Sequence, residues 1–139
     1  MIMSSSEKCK RLNKIEGVSI MKNENFKKVR VKEDGRVELH DMLNLTGSEI
    51  SVNVLPKGAS VPFVHAHKQN EEVYIVIDGK GYAVIDGETV HLEKGDFVRI
   101  APPAKRQFFA ANDSDIKYIC IQTKENSLQG YTADDAIIY

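Results

Sequence analysis

Val61 to Gly79, "VPFVHAHKQNEEVYIVIDG", holds two of the chain's four histidines two residues apart, then a pair of glutamates, then an apolar run that ends at a glycine. On a β-strand, side chains at i and i+2 project from one face. His65 and His67 therefore point together, with Ala66 pointing away. A rise of ~3.3 Å per residue sets their backbones about 6–7 Å apart, so both imidazoles can converge on one ion. The hydrophilic "KQN" reads as a turn. The next strand starts at Glu71 or Glu72 and returns a carboxylate to the same point. Two histidines and a carboxylate that leave coordination positions open are favoured by Fe(II), and also suit Mn, Ni or Zn.

The β-pattern extends in both directions from this stretch. "RVELHDMLNL" and "EISVNVLP" are β-rich runs separated by the turn signal "TGSE". "EVYIVID" and "GYAVID" are separated by Gly79-Lys80-Gly81, and "GYAVIDGETVHL" is a hairpin with Asp86-Gly87 at its tip, a dipeptide that primed turns favour. "DFVRIAP", "RQFFAA" and "DIKYICIQ" follow, each bounded by Gly, Pro, Asn or Asp. About ten short strands with almost no helical periodicity predict an all-β protein, an antiparallel sandwich or barrel. The only helix candidate is "TADDA", where Thr132 can cap one turn. Residues 1–22 form a polar leader, either flexible (with Met21 as an alternative initiator) or an arm whose "EGVSIM" adds a strand to a partner. Residues 23–139 read as a single domain.

A formal net charge of −1 argues against a nucleic-acid binder, which advertises a basic face. No apolar run has membrane-spanning length, and the N-terminus lacks a signal-peptide core. Cys9 and Cys120 share no spacing that suggests a zinc knuckle or a disulfide framework, so a reduced, cytoplasmic setting is expected. His40 and His91 lack ligating company and read as structural.

These residues resemble the cupins, small double-stranded β-helix barrels of jelly-roll type. The first cupin motif is matched by Gly58, His65-Ala66-His67, Glu72 and Gly79, and the six residues between Glu72 and Gly79 select Glu72 over Glu71 as the ligand. The second motif runs Gly, five residues, P-x-G, two residues, His, three residues, Asn. Gly95 opens it, and an overlay with Pro102, Ala104 and Gln107 at the Pro, Gly and His positions leaves Asn112 one place late. The resemblance thus implies a divalent transition metal held by His65, His67, Glu72 and Gln107, the last ligating directly or through a water. Tyr74 shares parity with Glu72 and is a candidate to orient a substrate; Lys105 and Arg106 read as a solvated loop at the mouth.

Two functions fit. One is a metal-dependent enzyme, dioxygenase- or isomerase-like, acting on a small polar organic molecule. The other is a non-catalytic sugar or metabolite sensor, which the missing histidine favours. Both accommodate a homodimer, because Val73, Ile75 and Ile77 on the far face of "EVYIVID" need covering.

Overall fold

Alternating side-chain polarity makes strands here because one face of each can be buried while the other meets solvent. The computed structural model describes residues 25–32, 35–131 and 134–139, which leaves the leader to residue 22 and Thr132 outside the described residues. The strands are β1 (Arg36–Glu38), β2 (Glu49–Leu55), β3 (Asn70–Ile85), β4 (Glu88–Glu93), β5 (Phe97–Ile100), β6 (Arg106–Ala110) and β7 (Ile116–Lys124), and one short helix, α1 (His40–Leu43), lies between β1 and β2. Every pairing is antiparallel, in the order β1-β2-β7-β3-β4, with β5 and β6 also bonded to β3.

Strand β3 organises the barrel. Its first half pairs with β7 and β5, and its second half with β4 and β6. A straight strand of this length would span about 50 Å at ~3.3 Å per residue. Yet Arg106, the ladder partner of Ile85 at one end, approaches Glu72 near the other to 3.6 Å. The strand must therefore turn a corner and come back, as a double-stranded β-helix requires. The register shifts between Val76 and Asp78, and Gly79 follows with φ +75°. A Cβ on Gly79 would collide with the carbonyl oxygen of Asp115, and one on Gly81 with that of Phe109. Only glycine lets the backbones pass this closely.

The inner faces supply the core: Tyr74, Val76 and Ala83 from β3, Leu92 from β4, Ile100 from β5, Phe108 and Ala110 from β6, and Ile116, Tyr118 and Cys120 from β7. The β3–β4 hairpin turns through Asp86 (φ 49°) and Gly87 (φ 83°), the primed turn expected at that dipeptide.

Three expectations are corrected. Seven strands replace about ten among the described residues, partly because "EVYIVID" and "GYAVID" are one bent strand. "RVELHDMLNL" is not one β-run: after β1 it makes α1, which Asn44 ends in the left-handed region (φ 52°), where Leu45 N–H reaches the carbonyl of His40. The His65–His67 segment is extended but belongs to no named strand; it makes an isolated bridge to Arg106.

Candidate metal centre

That bridge positions the first histidine. His65 N–H donates to Arg106 O (3.0 Å), and Arg106 N–H donates back to His65 O (2.9 Å). Residues paired in this way project from one face of the ladder, so His65 and Arg106 both face the lumen. Two residues on, His67 N–H is tied to Pro102 O (2.8 Å). The extended backbone keeps both imidazoles on one side, over the inner end of β3.

There they meet Glu72. One ligating atom from each of His65, His67 and Glu72 lies within 4.8 Å of the others. His65 Nε2 is 3.8 Å and His67 Nε2 3.2 Å from Glu72 Oε1. The carboxylate is buried, while the two imidazoles are partly exposed and form the route to solvent. Phe63 stands at this mouth, 59% exposed, with its ring edge-on to His65 at 5.8 Å.

The fit to a metal ion rests on unused atoms. His65 Nδ1 and His67 Nε2 are buried without a hydrogen-bond partner, although His67 Nε2 lies so near the carboxylate. Buried polar atoms are rarely left so, and an ion beside Glu72 is one group that satisfies His67 Nε2. Burial, ahead of the opposing pull of Glu72, lowers the pKa of His65 below 6.5, with His67, Arg106 and Arg36 acting in the same direction as burial. The neutral imidazole is the form that ligates. His65, His67 and Glu72 thus fit a divalent ion.

Gln107 is not brought into this group. On β6, Arg106, Phe108 and Ala110 are buried inward, so Gln107 lies on the opposite parity, and its Nε2 donates to Val61 O (2.8 Å). The lumenal position belongs to Arg106, which is fully buried rather than on a solvated loop. Its Nη2 donates to Ala101 O (2.7 Å) and its Nη1 lies 3.6 Å from Glu72 Oε1. Neither Nη1 nor Nε has a hydrogen-bond partner. Counting the second motif from Gly95 with no slip lands on Arg106, a signal that was present in the sequence. A one-residue shift exchanges the two faces of a strand, and here it exchanges an amide for a cation.

Glu72 is held by two further donors. Tyr74 Oη donates to Oε1 (2.9 Å) and Cys120 Sγ lies 3.0 Å from Oε2. Burial first, then Cys120 and Glu72, push the Tyr74 hydroxyl well above its ordinary range; burial and Glu72 do the same to the Cys120 thiol. Both keep their protons and serve as donors. The same wall is polar further along, beyond β7: Asn53 Nδ2 donates to Ser51 Oγ (2.9 Å), and Arg36 Nη1 donates to Asn53 Oδ1 (2.9 Å). Reading for metal ligands missed Ser51 and Asn53, which the alternation in "EISVNVL" signals as polar residues on the buried face.

This barrel and its site define a class that sequence comparison supports independently. The family model described as the Cupin domain matches residues 51–122, so the chain belongs to the cupins. A crystal structure of a cupin protein from Bacteroides fragilis is similar at 56% identity, covering 84% of this chain and 99% of that one, with a TM-score of 0.82. An uncharacterized protein from Methanocaldococcus jannaschii is 27% identical over 67 residues, which is 48% of this chain, and the match spans only 53% of that relative. A sugar phosphate isomerase of the cupin superfamily from Silicibacter pomeroyi is 23% identical, covers 65% of this chain and 60% of that one, and has a TM-score of 0.58, which speaks to the fold alone.

Proposed function

We propose that this chain is a metal-dependent cupin enzyme that holds one divalent transition metal with His65, His67 and Glu72 and acts on a small polar organic molecule. The observation that carries the proposal is the convergence of these three side chains, with His67 Nε2 buried and unpartnered beside the Glu72 carboxylate. The ion supplies Lewis acidity toward a ligand oxygen, or dioxygen chemistry if it is iron. The chain's own groups do the rest. Tyr74 and Cys120 fix the Glu72 carboxylate from below, and the partly exposed imidazoles leave an approach from the mouth. Three protein ligands leave positions free for a small molecule. Gln107 contributes through Val61, by holding the covering segment, rather than by ligation.

Metal analysis of protein purified without a histidine tag or chelator tests this. About one divalent ion per chain is expected, lost in the His65→Ala/His67→Ala double variant while the circular dichroism spectrum is unchanged. A wild-type protein that takes up no divalent metal would sink the reading.

A second reading, a non-catalytic metabolite binder, is favoured by one observation: a permanent cation, Arg106, stands where the family pattern has a ligating histidine. Turnover of a metabolite by the metal-loaded protein, lost in Glu72→Gln, separates the two. A homodimer in the cytoplasm fits either. In its favour, the outer row Val37, Val52, Ile119, Ile75 and Phe97 runs unbroken across β1, β2, β7, β3 and β5, and Phe97 is 70% exposed. No helix of the described residues is long and apolar enough to cross a membrane.

A further inference from the structure

A fully buried guanidinium beside a candidate metal site changes the site's charge balance. Glu72 is the only carboxylate of the three-residue group, and Arg106 Nη1 already lies 3.6 Å from it. The pair is neutral before any ion arrives, and neutral imidazoles add nothing. Arg36 also acts on His65, but its own charge is balanced by Glu38 at 3.3 Å. A divalent ion would therefore leave two uncompensated positive charges in a buried place, where desolvation makes them costly. The Arg106 position makes this worse than a histidine would. A histidine contributes a lone pair, whereas a guanidinium has none to give and is always charged.

Arg106 also has capacity to spare. Its Nη2 is spent on Ala101 O, but Nη1 and Nε are buried with no hydrogen-bond partner. A buried N–H left unpaired costs free energy that a bound acceptor recovers. The acceptor that answers both the charge and the open N–H is a small oxyanion. A carboxylate is the organic form of such an acceptor, and its one negative charge lowers the excess from two to one.

We propose that the metal and a small carboxylate bind this site together, each strengthening the other, with Arg106 as the residue that couples them. This rests on the metal reading above and gives the polar organic molecule a class: an organic acid whose carboxylate faces Arg106 Nη1. Coupling between ligands is reciprocal. The carboxylate raises metal affinity by the same factor by which the metal raises carboxylate affinity.

The test uses the full chain, stripped of metal and titrated with Co(II) in competition with a chromophoric chelator, in sodium acetate and in sodium perchlorate of equal ionic strength. The expected result is a Co(II) Kd about 10-fold or more lower in acetate, within the usual range of ligand coupling of about 5- to 150-fold. In Arg106→Met the difference between the salts is expected to fall below about 2-fold, with the Kd in perchlorate lower than that of wild type, since the repelling cation is gone. If Arg106→Met does not fold, Arg106→Lys serves: it keeps the charge and is expected to retain part of the acetate effect. Equal Co(II) affinity in the two salts for wild type overturns the coupling while leaving the metal reading in place. Acetate dependence that survives undiminished in Arg106→Met also overturns it. Failure to bind Co(II) in either salt overturns both.

Discussion

The lumen has two layers with opposite characters. Near the mouth, His65, His67, Glu72 and Arg106 gather charge and unpartnered nitrogen atoms. Beneath them, Tyr74, Phe108 and Tyr118 form an aromatic cluster, with ring centroids 4.1 Å apart for Tyr74–Phe108 and 5.3 Å for Phe108–Tyr118. Tyr74 joins the layers, stacking on Phe108 and giving its hydroxyl to Glu72. The upper layer holds polar atoms that are not satisfied from within. The lower layer is closed because apolar rings fill it. Affinity should depend on the first and stability on the second, and each prediction probes that division.

Phe108→Ala should show the largest effect, a loss of about 3–5 kcal/mol in urea denaturation, because it empties the centre of the closed layer. His65, His67 and Glu72 should keep their places in this variant, so residual metal uptake by the folded fraction would sharpen the division. Glu72→Gln should break it. Removing the carboxylate strands the Arg106 charge, and one-sided breakage of a buried pair costs about 3 kcal/mol or more. The two histidines, which are partly exposed, should cost under about 1 kcal/mol when cut to alanine. Equal stability of Glu72→Gln and wild type in chelator would show that Arg106 does not depend on Glu72. Tyr74→Phe keeps the stack and removes one hydrogen bond to a carboxylate, for an expected loss of about 2 kcal/mol. It should also weaken metal binding several-fold; unchanged metal affinity would detach Tyr74 from the upper layer.

The smallest effect is the pH dependence of His65. Burial lowers its pKa in the folded protein below 6.5, so below that value the unfolded chain binds the proton more readily. Its contribution to stability is complete above pH 6.5 and is lost as pH falls through the folded value. In metal-free protein, the urea midpoint should drop more steeply from pH 7.5 to 5.5 in wild type than in His65→Gln. Parallel profiles would remove His65 from the buried charge balance.

The upper layer was plainly legible in sequence on one side. His65, His67 and Glu72 lie within a stretch of eight residues, joined by a short polar turn. On the β6 side the strand pattern did not decide, because Arg106 and Gln107 are neighbours and the register sets which faces inward; the count from Gly95 was the one pointer to Arg106. "RIAPPAKRQFF" has two prolines and no strict alternation before β6 to fix that register. The aromatic layer was legible as parity: Tyr74 with Glu72, and Tyr118 with Cys120, each on one face. Which face was inward took the pairing of β3 with β7, a contact between segments about forty residues apart. The break at Gly79-Lys80-Gly81 marked a real change of partners. The glycines serve close backbone approach there rather than a loop, which composition alone does not distinguish.

The corner in β3 makes the site sensitive to a place it does not touch. Glu72 stands seven residues before Gly79, and Ile85, which carries Arg106 on its ladder, stands six residues after it. Each arm is about 20 Å long at ~3.3 Å per residue, so a tilt of about 3° at the corner moves its far end by about 1 Å. The separation of the anionic and cationic halves of the site is thus set by a hinge at the opposite end of the barrel. Asp115 and Phe109, whose carbonyls crowd the two glycines, clamp that hinge. A change at either clamp would be felt as altered electrostatics near the mouth, with every lumenal side chain still in place.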